Sequence, residues 1–65
     1  MLADDATDKL QGDLGRQLRN IRLRQNLDQR ELASRAGVAL NAVKRLEAGK
    51  GATVRSLVKV LRTLG

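Results

Sequence analysis

Residues 28–47 constrain the fold of this chain more than any other stretch, because they read as two short amphipathic helices around one glycine. Apolar residues at helical spacing predict a buried face on each helix: Leu32, Ala33, Ala36, Val43 and Leu46. Gly37 stands between the helices, where its freedom to adopt a positive φ permits a sharp turn. The stretch therefore predicts two helices joined by a tight turn.

The second helix of this pair leaves three polar side chains pointing away from its apolar face: Asn41, Lys44 and Arg45. Two short helices joined by a glycine-containing turn form the layout that places the second helix in the major groove of DNA. The competing interpretation of Lys44 and Arg45 is a solvated helix face. For Asn41 the competing interpretation is a capping or turn residue.

Apolar stripes predict one further helix before this pair and one after it. The helix before the pair spans about residues 11–25, and its stripe comprises Leu10, Leu14, Leu18 and Ile21. The helix after the pair spans 54–64, and its stripe comprises Val54, Leu57, Val58, Leu61 and Leu64. These spacings place each stripe on one side of its helix, where it can face a common core.

Capping residues fix where two of the helices begin. Asp28 and Glu31 have the spacing of a capping box, which predicts a helix over about 29–36. Thr53 is a good N-cap for the last helix, whereas Ala39 offers the helix over about 40–48 no side-chain oxygen. That helix must therefore depend on packing more than on its cap.

The sequence predicts an all-α fold, a compact domain of four helices over residues 10–65, with a fifth helix as the alternative. No stretch alternates polar and apolar residues in the way that a half-buried strand requires. Residues 1–9 are polar and acidic, and chain ends of this kind are often poorly ordered. We therefore expect these nine residues to form a flexible acidic arm.

Charge is distributed unevenly along the chain. The net charge is +6, but residues 1–13 hold four aspartates and one lysine and so carry −3. The remaining 52 residues carry +9. A strongly basic folded unit favours a polyanionic partner, although a basic surface can also serve solubility alone.

Several function classes lose support from what the chain lacks. Without Cys or His, a Cys/His zinc site and a His-based acid–base mechanism are ruled out, and we expect no metal, no cofactor and no catalytic residue. Without aromatic residues, base stacking on RNA or single-stranded DNA is unsupported. No apolar run approaches the roughly 18 residues of a membrane span, so we expect no membrane partner.

From residue 14 to residue 65, about four-fifths of the chain, motifs in register carry a resemblance to a known family. They are Leu14-Gly15, Leu18, Ile21-Arg22, Leu27-Asp28-Gln29, Glu31-Leu32-Ala33, Ala36-Gly37-Val38, Val43, Leu46-Glu47, Gly49, Leu57, Leu61 and Leu64-Gly65. The chain resembles the lambda-repressor-like helix-turn-helix family, also called the XRE or Cro/C1 type.

The resemblance implies a role for particular positions. The groove-facing positions of the recognition helix are Ala39, Leu40, Asn41, Lys44 and Arg45. At such positions Asn can bind adenine, Arg or Lys can bind guanine, and an apolar side chain can meet a thymine methyl group. Leu40 can equally pack against the first helix or against a partner. Ala39 and Leu40 depart from the family, in which the first is usually Ser or Thr and the second is usually polar.

Three other positions receive roles from the same resemblance. Gln29 stands where the family's glutamine contacts a DNA phosphate, at a helix N-terminus that attracts anions. Arg22 and Glu47 match a pair that forms a structural ion pair between the first helix and the end of the third.

The resemblance implies a sequence-specific, double-stranded DNA-binding transcription regulator, such as a repressor, that binds as a homodimer. It would be a cytoplasmic, nucleoid-associated protein of bacterial or phage type and not an enzyme. The alternative is an antitoxin-type or other protein-interaction module that uses the same domain, with a toxin or other protein as its partner.

Overall fold

A computed structural model describes the backbone of residues 2–65 and the side chains of residues 6–65. Four helices follow one another: α1 (Leu2–Arg24), α2 (Gln29–Ala36), α3 (Leu40–Glu47) and α4 (Val54–Leu64). No strand occurs within residues 2–65. The predicted all-α domain of four helices is therefore confirmed, and α2 and α4 have the predicted bounds.

The first helix is longer than the sequence predicts. It begins at Leu2, whereas the prediction was an arm over residues 1–9 and a helix from about residue 11. No glycine or proline precedes Gly12, so nothing in this segment stops a helix from extending toward the N-terminus. Residues 6–10 are exposed, so this part of α1 projects from the core. Met1 lies outside the described residues, and the flexibility of the arm stays a prediction.

Local hydrogen bonds fix the ends of α2 as predicted. The Asp28 carboxylate accepts from the backbone N–H of Glu31 at 2.7 Å, and the Glu31 carboxylate accepts from the N–H of Asp28 at 3.1 Å. Gly37 ends the helix with φ 69°, in the left-handed region that favours glycine. Together they set the start of α2 and the turn that leads into α3.

The core takes one fully buried side chain from each helix: Leu18, Leu32, Val43 and Val60. Leu27, Ala33, Leu46 and Leu64 complete it. Val43 and Leu46 are the buried residues of α3, whose N-cap Ala39 makes no side-chain hydrogen bond. Packing in the core therefore holds α3 in place, as its poor cap predicts.

The face that α4 turns toward the core differs from the predicted stripe. Leu64 is buried and Leu57 is half-buried, as expected, but Val60 lies outside the stripe and is also buried. Three stripe residues of α4 are exposed: Val54, Val58 and Leu61. Leu10 and Leu14 of α1 are exposed as well. The apolar arc of α4 is wider than the core can cover, so one edge of it faces solvent.

Gly15 is the point at which α1 approaches the C-terminal end of α3 most closely. A Cβ at this position would lie 2.5 Å from the carbonyl oxygen of Leu46 and 2.6 Å from that of Glu47. Both atoms belong to the backbone, so the two helices would have to move apart to make room.

We expect Gly15→Ala to lower the free energy of unfolding by about 1–3 kcal/mol, the usual cost of overpacking. Gly12→Ala is the matched control, because a Cβ there meets only the Arg16 side chain, at 3.6 Å. It should be neutral or stabilising, since alanine favours a helix over glycine by roughly 0.5–1 kcal/mol. Urea unfolding followed by circular dichroism measures both. If both substitutions changed the free energy of unfolding equally, the close approach of α1 to α3 at Gly15 would be contradicted.

Candidate nucleic-acid interface

The buried apolar residues of α3 pack in the core, so the helix presents its polar face to solvent. Val43 and Leu46 are buried, while Asn41, Lys44 and Arg45 are exposed. Lys44 and Arg45 lie three and four positions after Asn41, so the three polar residues share one side of the helix. The structure thus brings together three of the five positions that the family resemblance assigns to base contact.

The other two positions differ from these three in their surroundings. Ala39 is exposed at the N-cap, immediately before the first turn of α3. Leu40 is half-buried and packs against the hydrophobic core. This geometry favours the packing interpretation of Leu40, and only the exposed part of its side chain can meet a ligand.

The Arg45 side chain is oriented by the loop that follows α3. Its Nη2 donates a hydrogen bond to the backbone carbonyl oxygen of Lys50 at 2.9 Å. A guanidinium group has five N–H donors in a fixed plane, so one bond to a carbonyl leaves the others for a ligand. Nothing in the sequence indicated this contact, because it depends on the path of the chain between Gly49 and Thr53.

Arg22 and Glu47 meet in a buried, bidentate ion pair. Arg22 Nε donates to Glu47 Oε2 at 2.7 Å and Nη2 donates to Oε1 at 2.9 Å, with both side chains less than 10% exposed. The hydrogen bond to the Glu47 carboxylate raises the pKa of Arg22, although burial acts in the opposite direction. Arg22 Nη1 also donates to the carbonyl oxygen of Leu27 at 2.8 Å, so the pair ties α1 to α3 and to the loop before α2.

Gln29 joins this ion pair. It is the first residue of α2, and its Nε2 donates to Glu47 Oε1 at 3.1 Å. The family resemblance gave Gln29 a role toward phosphate but no link to Glu47. The two residues are 18 apart in sequence, so no local pattern could reveal the bond.

The described residues offer neither a metal cluster nor a membrane span. Within residues 2–65, no cluster of three or more His, Cys, Asp or Glu residues is placed to hold a metal ion. None of the helices in that range is both long enough and apolar enough to cross a membrane.

Comparison with known proteins agrees with this architecture. The chain matches the helix-turn-helix family over residues 18–65, which is most of its length. It is 47% identical over 58 residues to the uncharacterized HTH-type transcriptional regulator y4mF of Sinorhizobium fredii, an alignment that covers 88% of this chain and 76% of the relative. No solved structure matches it. With the capped start of α2 and the exposed face of α3, the match over residues 18–65 shows that this chain belongs to the helix-turn-helix family.

Proposed function

We propose that this chain is a sequence-specific, double-stranded DNA-binding transcription regulator that binds as a homodimer and reads the major groove with α3. The observation that carries the proposal is the exposed polar face of α3, fixed to a buried scaffold in a chain of the helix-turn-helix family. The regulator y4mF, which covers most of the same domain, supports it. A basic unit of net charge +9 would supply the nonspecific attraction to DNA.

The residues of this face suit different base edges. Asn41 has the amide geometry for adenine N6 and N7, and Lys44 and Arg45 suit guanine O6 and N7. Ala39, exposed at the N-cap, can meet a thymine methyl group, and the exposed part of Leu40 can do the same. The carbonyl oxygen of Lys50 already accepts one N–H of Arg45, so the guanidinium group would be partly oriented before it enters the groove.

The start of α2 suits a DNA phosphate. The first N–H groups of a helix have no partner within the helix, and the helix dipole attracts anions there. The Gln29 side-chain amide has two N–H donors, and the Glu47 carboxylate accepts one of them. The second donor remains for a phosphate, so Glu47 would hold Gln29 in position while it binds DNA.

Selection of bound duplexes from a random pool tests this function. We expect a two-fold symmetric site with half-sites about 34 Å apart, or a multiple of that distance. The selected duplex should bind at least roughly tenfold more tightly than random duplex at moderate salt, a modest value for a specific regulator. Fluorescence anisotropy measures both affinities. Equal affinity for every sequence would reduce the protein to a general binder of polyanions.

A further inference from the structure

The loop between α3 and α4 is joined to Arg45 by two hydrogen bonds. The Lys50 N–H donates to the Arg45 carbonyl oxygen at 2.9 Å, and Arg45 Nη2 donates to the Lys50 carbonyl oxygen at 2.9 Å. The first of these bonds, together with one from the Gly49 N–H to the Leu46 carbonyl oxygen at 3.2 Å, forms the Schellman pattern that ends a helix. The same short segment therefore closes α3 and orients the Arg45 side chain.

Two glycines flank Lys50, and both adopt positive φ values. Gly49 has φ 71° and Gly51 has φ 85°. A Cβ is sterically disfavoured in this region, so glycine allows the backbone on both sides of Lys50 to turn without strain. The direction of the Lys50 carbonyl, which anchors Arg45, therefore depends on the backbone at these two positions.

Helix α1 lies against this loop from the other side. A Cβ on Gly49 would lie 2.8 Å from the Gly12 Cα and 2.9 Å from the Gly12 nitrogen. Both atoms belong to the backbone, so neither can turn aside as the end of a side chain could. At Gly51, by contrast, the nearest atom is Oε1 of the flexible Gln11 side chain, at 3.4 Å. A side chain at position 49 would therefore push the loop away from α1.

We propose that Gly49 is a positioning residue for the reading of DNA sequence. Its backbone contact with α1 holds the Lys50 carbonyl oxygen in place, and that oxygen orients the guanidinium group of Arg45. The inference rests on the proposed base contact of Arg45. A guanidinium group reads guanine through donors in a fixed plane, so turning that plane weakens recognition of one base pair while the charge is retained.

Gly49→Ala tests this role, and Gly37→Ala is the matched control. The two glycines have nearly equal φ values, 71° and 69°, so alanine is strained to a similar degree at both positions. A Cβ at Gly37 meets no atom within 4 Å, whereas a Cβ at Gly49 meets the backbone of α1. The difference between the two variants therefore separates the contact with α1 from the strain of the backbone.

The readout is the base preference at the position where Arg45→Ala relaxes it. This preference is the ratio of dissociation constants for a duplex changed at that base pair and for the selected duplex, roughly five to 150 for a good contact. We expect Gly49→Ala to lower the ratio at least about threefold and Gly37→Ala to change it less than about twofold. In a protein that already carries Arg45→Ala, Gly49→Ala should not change the ratio further.

A second variant guards against loss of folding, which far-UV circular dichroism detects. Asparagine tolerates positive φ better than alanine does, but it still places a Cβ against α1. Gly49→Asn should therefore lower the base preference as Gly49→Ala does, with less strain in the backbone. Gly37→Asn is its control.

A measurement on the protein alone separates this inference from the proposed function. The heteronuclear NOE of the Arg45 Nε–H group reports fast side-chain motion by NMR. It should be high in the original protein and in Gly37→Ala, and it should fall in Gly49→Ala. An Arg45 side chain that is equally ordered in both glycine variants would overturn the inference, as would equal base preferences or an Arg45→Ala variant that relaxes no base position.

The proposed function can fail while the positioning stands. A protein in which Gly49→Ala frees the Arg45 side chain but which binds every duplex equally would support the link from Gly49 to Arg45 and contradict the regulator.

Discussion

Glu47→Leu should leave this domain only marginally stable at room temperature. The substitution leaves the Arg22 guanidinium buried without its counter-charge, and losing one partner of a buried ion pair costs about 3–5 kcal/mol. A domain of 65 residues holds roughly 3–10 kcal/mol in total. We expect the substitution to remove most of this free energy of unfolding. Urea unfolding followed by circular dichroism measures it directly.

The double substitution Arg22→Met with Glu47→Leu is the matched control. Exchanging a buried ion pair for apolar residues of similar volume is often neutral or stabilising, so the double variant should recover more than half of the loss. It should not recover all of it, because the carbonyl oxygen of Leu27 loses the N–H that Arg22 donates. A Glu47→Leu variant that loses less than about 1 kcal/mol would show that water reaches Arg22 and that the pair contributes little.

Features of the fold that depend on neighbouring residues could be predicted from the sequence. The capping box of Asp28 and Glu31 and the left-handed turn at Gly37 each require residues only a few positions apart. Each motif is encoded by residue types at fixed short spacings, so the residue types alone identify it. The bounds of α2 follow from these two signals.

The orientation of α4 could not be predicted in the same way. Its apolar residues cover an arc, and periodicity gives the position of that arc without saying which edge of it meets the core. Val60, at the other edge, became buried, while Val58 and Leu61 became exposed. The mismatch arises because the arc is wider than the core, so its other edge faces solvent.

Contacts between distant segments also left no signal in the sequence. Gly15 reads as an ordinary helical glycine until α3 is seen to place two carbonyl oxygens against it. The bond from Gln29 to Glu47 likewise depends on how the helices meet, and the bond from Arg45 to Lys50 depends on the path of the loop after α3. The resemblance to a family placed Gln29 and Arg45 in the candidate interface, but their neighbours had to come from the structure.

Replacing Lys44 and Arg45 together by alanine should reduce binding to the selected duplex almost to the level of random duplex. A good contact to a base edge contributes about 1–3 kcal/mol of discrimination, so two of them correspond to roughly a hundredfold or more. Neither side chain is buried, and we expect the free energy of unfolding to stay within about 0.5 kcal/mol of the original.

A variant that removes one surface charge away from α3 distinguishes base contacts from general electrostatic attraction to DNA. Arg19→Ala removes an exposed arginine from α1, and α1 approaches α3 at the C-terminal end of that helix. It should weaken selected and random duplexes by similar small factors, because it changes only the field around the protein. Arg45→Ala should instead weaken the selected duplex more and relax the preference at one base position. If Arg45→Ala weakens every duplex alike, as Arg19→Ala is expected to do, Arg45 contacts a phosphate. Base reading by α3 would then depend on Asn41 and Lys44.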